Sequence, residues 1–395
     1  MPKGCHSEAY DSLSARIRYY ALYIHHFLHE HGRILLFPSE YSNIMIDESR
    51  KGWDREMVTI KQIAELCGVS RGTVDRVLNK RGNVKPEKER LIIEMAKKLN
   101  YRPNPAGKAL AARKKHPVVG VLIASEGVQF FDDVLATMHR AADRFSSYGM
   151  EVIWRSMKGF DAAEQCRVID ELKDKISGLI INPVNDPLVI AKIDECVDNG
   201  MFVVTLNNDV EASRRHCYVG SDYLQGGRTA GALLKMICPT TLKAGVLLGS
   251  LNMLGHNQRL EGFQEVMYNH PDFTLMGVAE TADDDLQAYE AARQLIADNP
   301  EINAIFVVSS GGYGTARAIQ AAGREDIIIV AFDTIPSTIE MMKKGLIKAA
   351  LYQHPHQQGR RAMQVMFDYL VNGSLPEKKA YIMRNEIRIA ENVAD

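Results

Sequence analysis

Cysteine is scarce in this chain, six in 395 residues, and no two are spaced as C-x-x-C. That excludes a zinc-ribbon arrangement and a disulfide framework, and leaves scattered buried thiols in a reducing compartment. Equally missing is any apolar run of about eighteen residues, the length that a membrane-spanning helix needs. The first residues show no basic-then-apolar secretory signal ending in small residues. A cytoplasmic protein with no membrane partner is expected. No nucleophile elbow accompanies an ordered Ser, His and Asp set, so no enzyme class gains support. "SSGGYGTARAI" carries Gly311, Gly312 and Gly314 ahead of a helix, but has neither the G-x-G-x-x-G spacing nor a P-loop lysine. The histidines of "HPH" at 354–356 and "HHFLH" at 25–29 have no third or fourth ligand in sequence range. Neither a metal nor a cofactor is expected.

Net charge is nearly absent as well, at −1, but the balance conceals an asymmetry. Residues 57–116 hold fifteen Lys and Arg against five Asp and Glu, whereas residues 117–395 hold 26 against 36. So short and one-sided a basic segment is the footprint of a polyanion partner. Within it, "VTIKQIAELCGVSRGTVDRVLNKRG" reads as helix, tight turn, helix. Thr59 is suited to cap a first helix whose apolar Ile60, Ile63, Ala64 and Leu66 follow at helical spacing, and Gly68 suits a left-handed turn. Ser70 caps a second helix over residues 71–78, with Val74, Val77 and Leu78 inward. A third helix over 86–99 opens on a proline and closes a small core with Leu91, Ile92, Met95, Ala96 and Leu99.

In such a unit the second helix enters the major groove, its first residues at base edges. Arg71 and Arg76 are placed to reach guanine O6 and N7, and Gly72 permits close approach. Ser70, Thr73 and Asn79 suit phosphates. "TIKQIAELCGVSRGTVDRVLN" resembles the N-terminal motif of the lactose-repressor (LacI/GalR) family of bacterial transcription regulators almost without gaps. One departure is Asp75, where members usually carry a phosphate-facing Ser. It pairs with Arg71 at i,i+4, accepts from a cytosine N4, or is a solvated surface acid. Next, "YRPNPAGKALAARKKHP" offers Asn104 and Pro105 as the start of a short helix that folds only when docked. The resemblance implies a hinge helix in the minor groove with a wedged leucine, and Leu110 matches that leucine. Lys108, with Arg113, Lys114 and Lys115, would neutralise phosphates. The competing reading is a basic linker. The candidate DNA contacts are thus Thr59, Ser70, Arg71, Gly72, Thr73, Asp75, Arg76, Asn79, Lys108 and Leu110.

From Pro117 onward, short apolar runs alternate with amphipathic stretches such as 131–148 and 187–199. "VVGVLIA", "EVIWRS", "GLIIN", "FVVTLN" and "HCYVG" form one series of strands; "AGVLLGS", "FTLMGVAE", "AIFVVSS", "IIIVAFD" and "IKAALYQ" form a second. Two such series imply two lobes, each a parallel sheet with helices on both faces. Ligands of such sheets sit beyond the carboxyl ends of the strands. The residues there are Phe130, Phe131, Asn207, Asn208, Arg259, Ser309, Asp333 and Gln353. Amides, a carboxylate and an arginine fork match vicinal hydroxyls, and an aromatic face suits the C–H side of a sugar or cyclitol ring.

"GLIINPVNDP", "YVGSDYLQGGRTAG", "RLEGF", "VAFDTIP" and "ALYQHPHQQG" resemble the periplasmic sugar-binding proteins of the ribose-binding type, over about residues 118–373. The resemblance implies ring stacking by Phe130 and Phe131, and hydroxyl binding by Arg259, Asp333 and Gln353. Asn207 and Asn208 replace an acidic and a basic residue of that type, and its second-lobe aromatic is lost near Asp284, so ribose itself is not carried over. Competing readings make the two phenylalanines core, pair Arg259 with Glu261 or another surface acid, and make Asp333 and Gln353 hinge caps. The chain is expected to cross between lobes near Asp222, Asp333 and Gln353.

The expected fold is an all-α helix-turn-helix headpiece (57–102), a hinge helix and linker (103–116), and an α/β effector domain (117–395). The last is periplasmic-binding-protein-like, type I, with two doubly wound lobes. Residues 1–56 hold five of the twelve histidines and show no sustained period. Met57 is read as the native start and the preceding leader as an upstream extension; the competing reading is an arm with DNA or partner contacts. The expected protein is a homodimeric, alternatively tetrameric, repressor. Its partners are double-stranded operator DNA and a sugar or polyol effector. The alternative is a solute-binding component of a transporter.

Overall fold

A computed structural model describes residues 58–78, 82–101, 116–238 and 241–393. The leader, Asn79 and the hinge positions Lys108 and Leu110 lie outside them. Among the described residues three helices come first: α1 (Ile60–Leu66), α2 (Arg71–Leu78) and α3 (Pro86–Lys98). They meet on a core of Ile63, Ala64, Val74, Val77 and Ile92. Thr59 closes a capping box with Gln62, each side chain serving the other's backbone N–H. Gly68 turns the chain at φ +61 between α1 and α2. Thr59→Ala is expected to cost α1 about 1 kcal/mol. In the full chain this is read as roughly fivefold faster amide exchange in that helix.

The larger part is built from β1 (Val118–Ile123), α4 (Phe130–Ser146), β2 (Glu151–Ser156), α5 (Ala162–Leu172), β3 (Gly178–Asn182), α6 (Pro187–Asp198), β4 (Phe202–Leu206) and β5 (Cys217–Ser221). There follow α7 (Tyr223–Ile237), β6 (Leu242–Leu248), α8 (Leu254–Met267), β7 (Phe273–Glu280), α9 (Asp285–Asp298), β8 (Ala304–Val307), α10 (Gly312–Ala321), β9 (Ile328–Phe332), α11 (Pro336–Lys343) and β10 (Ile347–Tyr352). The chain ends in α12 (Pro355–Leu370), β11 (Ala380–Met383) and β12 (Glu386–Arg388).

The strands form two six-stranded sheets, ordered β11-β5-β4-β3-β1-β2 and β12-β10-β9-β8-β6-β7. Every pairing is parallel except that of β12 with β10. Strands such as Gly178–Asn182 and Phe202–Leu206 are buried at every position, as a sheet covered on both faces requires. In the first lobe α4 and α12 cover one face, and α5 and α6 the other. In the second, α9, α10 and α11 oppose α7 and α8.

The chain crosses between lobes three times: at Asp222, at Gln353 and His354, and at Arg384 and Asn385. The third corrects the expectation of a crossing at Asp333, which follows β9 within the second lobe. The short strands β11 and β12 carry that crossing and were not among the apolar runs of the sequence. Asn385 Nδ2 donates to Asp222 O at 3.2 Å, which ties two crossings together. Among the described residues no helix is long and apolar enough to cross a membrane.

Candidate functional site

On α2 the inward residues are Val74 and Val77, which leaves Arg71, Gly72 and Arg76 exposed on the opposite side. Thr59 and Ser70 are exposed, and Thr73 and Asp75 half-buried. Ser70 Oγ accepts from Thr73 N at 3.1 Å, which caps the helix start, and lies 2.9 Å from Thr73 Oγ1. Burial and, after it, the Asp75 carboxylate hold the Tyr101 phenol above its usual range. The structure therefore gathers Ser70, Arg71, Gly72, Thr73 and Arg76 at one helix end and on its outer side.

All eight candidate ligand residues line one cavity of about 40 Å³ between the lobes. That is far below the ~300–1,000 Å³ of a pocket that holds a small molecule, so a ring enters only when the lobes move apart. Phe130 and Phe131 open α4 beyond the end of β1, Asn207 and Asn208 follow β4, and Ser309, Asp333 and Gln353 follow β8, β9 and β10. Several turns at strand ends use left-handed backbone, with φ 61 at Asn207 and 62 at Asp333. Asn and Asp tolerate that region better than other side chains.

Arg259 is positioned by helix packing. Its helix α8 lies against α7 so closely that a Cβ on Gly227 would collide with the Arg259 carbonyl, and one on Gly262 with that of Leu224. Its guanidinium lies 3.8 Å from the Phe332 ring centroid and 4.6 Å from that of Tyr223. Nη1 donates to Val308 O at 2.7 Å, and Nη2 to Gln353 Oε1 at 2.5 Å. Gln353 Nε2 donates in turn to both Asp333 oxygens, at 3.0 and 2.8 Å. Arg259, 4% exposed, is thus part of a buried relay and makes no surface ion pair. Its Nε–H alone is buried without an acceptor. Burial pushes the Asp333 carboxyl up to about 6, against the pull of Arg259.

Phe130 and Phe131 meet edge to face at 5.2 Å between centroids and belong to the first-lobe core while walling the cavity. The pair is core and cavity wall at once. Asn208 is spent across the cleft: Nδ2 donates to Pro183 O at 2.6 Å in its own lobe, and Oδ1 accepts from Gly255 N at 2.8 Å in the other. Asn185 N donates to Asn252 O at 2.9 Å beside it, so the lobes are directly bonded. Asn207 O accepts from the hydroxyls of Tyr218 and Tyr223. Ser309 Oγ accepts from Gly249 N at 2.8 Å.

Sequence reasoning missed Tyr223, His256 and Asp283, which also line the cavity. His256 precedes Arg259 by three residues on α8, nearly one turn, which is the spacing that signals a shared face. Tyr223 is the first residue of α7 and Asp283 lies in the loop after β7, the kind of place the strand-end rule points to. Asp284, near which an aromatic is lost, caps α9 by accepting from Leu286 N and Gln287 N, both at 3.0 Å. Its neighbour Asp283 is the one that faces the cavity.

Residues 119–374 match the family described as periplasmic binding protein domain, and residues 59–104 match the bacterial regulatory proteins of the lacI family. The ribose import binding protein RbsB of Salmonella typhimurium is 23% identical over 262 residues, 66% of this chain and 87% of that protein. The ribose operon repressor of Halalkalibacterium halodurans is 27% identical over 296 residues, covering 71% of this chain and 81% of its own. Among solved structures, GanP, a glucose-galactose binding protein from Geobacillus stearothermophilus, superposes with a TM-score of 0.65 at 23% identity. The match spans 70% of this chain and 99% of that one. The chain therefore belongs to the lacI family of bacterial regulatory proteins, and its large domain is a periplasmic binding protein domain.

Proposed function

We propose that the protein is a cytoplasmic, homodimeric transcriptional repressor that reads double-stranded operator DNA under the control of a sugar or polyol effector. The carrying observation is the Arg259–Gln353–Asp333 relay opposite Phe130 and Phe131, in a cavity between two lobes of a chain that also carries α1–α3. Arg71 and Arg76 read bases, while Thr59, Ser70, Gly72, Thr73, Asp75 and Asn79 fit the helix to the groove. Lys108 and Leu110 act in the hinge. In the cavity the phenylalanines stack on a ring, and Asn207, Arg259, Ser309, Asp333 and Gln353 meet its hydroxyls, while the Asn208 amide bonds lobe to lobe. The site holds a ligand and performs no reaction on it. Effector binding changes the equilibrium between lobe arrangements, whose bonded form is held by Asn208 and Asn185, and the hinge passes that bias to the headpiece. A transport component would have no use for α1–α3.

A thermal-shift screen of the full-length protein against sugars, polyols and cyclitols tests the effector reading, because a ligand that binds only the folded state raises the melting temperature. A hit that Asp333→Ala abolishes supports it; no shift from any member contradicts it.

The effector's affinity is expected to depend on Asp333 ionisation. Around that carboxylate stand Arg259, Gln353, Tyr223, His256 and Asp283. An acceptor that must be ionised loses about tenfold in affinity per pH unit below about 6. Calorimetric titration between pH 5 and 8 checks this as a plateau above about 6 and a roughly tenfold loss from about 6 to 5. Without ligand the sign reverses. The folded chain keeps a proton that the unfolded chain releases, so this group's contribution to stability is complete below about 4 and lost as pH rises through about 6.

A further inference from the structure

We propose that Asp283 is a specificity-determining residue of the cavity, which confines the effector to hydroxyl-rich rings that bear no acidic group. The inference rests on the cavity being the effector site, and it narrows the class of ligand.

Asp283 is a built element of the wall. Its side chain is 7% exposed, its backbone is left-handed at φ 58, and Oδ1 accepts from Ser310 N at 3.2 Å. Gly249 leaves the room it occupies, since a Cβ there would collide with Oδ1. Oδ2 stands 3.9 Å from His256 Nε2, beyond hydrogen-bond length. One oxygen is therefore fixed and the other remains to accept from a ligand hydroxyl.

Charge supplies the selectivity. The lining holds one cation, Arg259, against two carboxylates, Asp283 and Asp333. Burial pushes the His256 imidazolium toward its neutral form, against the pull of Asp283. Arg259 already donates to Val308 O and Gln353 Oε1, and its unpaired Nε–H suits a hydroxyl oxygen. A ligand carboxylate or phosphate would enter a buried site that already has one negative charge in excess. Nothing there compensates its lost hydration. Phe130 and Phe131 supply an apolar face on the first-lobe side, so a ring presents its C–H face there and its hydroxyls toward Asp283.

The test is calorimetric titration of the full-length protein at pH 7.5 with matched pairs: a hexose and its uronic acid, an inositol and its phosphate. The neutral member of a pair is expected to bind at least about tenfold more tightly than the acidic one. Asp283→Asn, which removes charge at constant size, is expected to weaken the neutral ligand and shrink that preference by about tenfold. A melting curve confirms that the variant is folded, and Asp283→Ser serves if it is not. Tighter binding of the acidic member, or a preference unchanged in the folded variant, overturns the proposal and leaves the effector reading intact. Failure of every neutral and acidic member to bind overturns both.

Discussion

Replacing Arg259 with alanine is expected to abolish the effector response while leaving operator DNA binding in place. The guanidinium bonds Val308 O and Gln353 Oε1 and lies between two aromatic rings. Truncating it strands the Gln353 amide and leaves Asp333 and Asp283 in the cavity lining with no cation. Removing one partner of a buried charged set costs about 3–5 kcal/mol, which corresponds to more than a hundredfold in affinity if it falls on binding. Part will fall on the fold, because Arg259 is buried whether or not a ligand is present. Arg259→Lys separates the two: it keeps the charge and loses the planar fork, so affinity falls while the melting temperature stays closer to that of the parent. Calorimetry and a melting curve on both variants read the split. An alanine variant that still binds its effector with parental affinity would remove Arg259 from the site.

The second large effect belongs to Arg76. It is exposed on α2 while Val74 and Val77 of the same helix fill the headpiece core, so its removal leaves that core intact. Arg76→Ala is expected to cost about 1–3 kcal/mol at the preferred operator and to relax base preference at one position of each half-site. Lys114→Ala, in the basic stretch before β1, is expected to weaken all sequences alike and to reduce the salt slope by about one. Selection from randomised DNA, followed by anisotropy titrations at two salt concentrations, distinguishes them. If both variants lose affinity uniformly, Arg76 contacts backbone and not bases.

Much of this architecture could be read from the sequence because its signals are local. The headpiece announces itself by caps and a turn glycine within some forty residues, and Thr59, Gly68 and Pro86 stand where those devices need them. Among the described residues ten of the twelve strands follow the apolar runs of the sequence, and those buried at every position, such as Gly178–Asn182 and Phe202–Leu206, are written that way because both faces are covered. The two that were missed, β11 and β12, are short, half-exposed edge strands whose pairing is distant in sequence: β11 joins β5, and Ala380 faces Tyr218. Nothing local marks such a partner, and the third crossing was consequently placed at Asp333 in place of Arg384 and Asn385.

The cavity shows the same division. Phe130, Asn207, Ser309, Asp333 and Gln353 were found because a parallel sheet exposes the residues that end its strands. Tyr223 and His256 begin helices, and Asp283 sits in an acidic "DDD" where charge reads as solvated surface. Their burial follows from the meeting of two lobes, a tertiary fact. The relay through Gln353 and the inter-lobe bond of Asn208 likewise depend on how separate strand ends converge. Phe130 and Phe131 are core and lining alike, since the wall of this cavity is the edge of the core.

Occupancy of the cavity is expected to govern reading of the DNA. The most direct measurement of this is the operator Kd of the full-length protein, by fluorescence anisotropy, with and without a ligand whose binding calorimetry has established. A coupling of about 1–3 kcal/mol shifts that Kd by roughly fivefold to 150-fold. The shift is expected to vanish in Arg259→Ala while its ligand-free Kd matches the parent. A ligand that saturates the cavity and leaves the operator Kd unchanged would contradict the account.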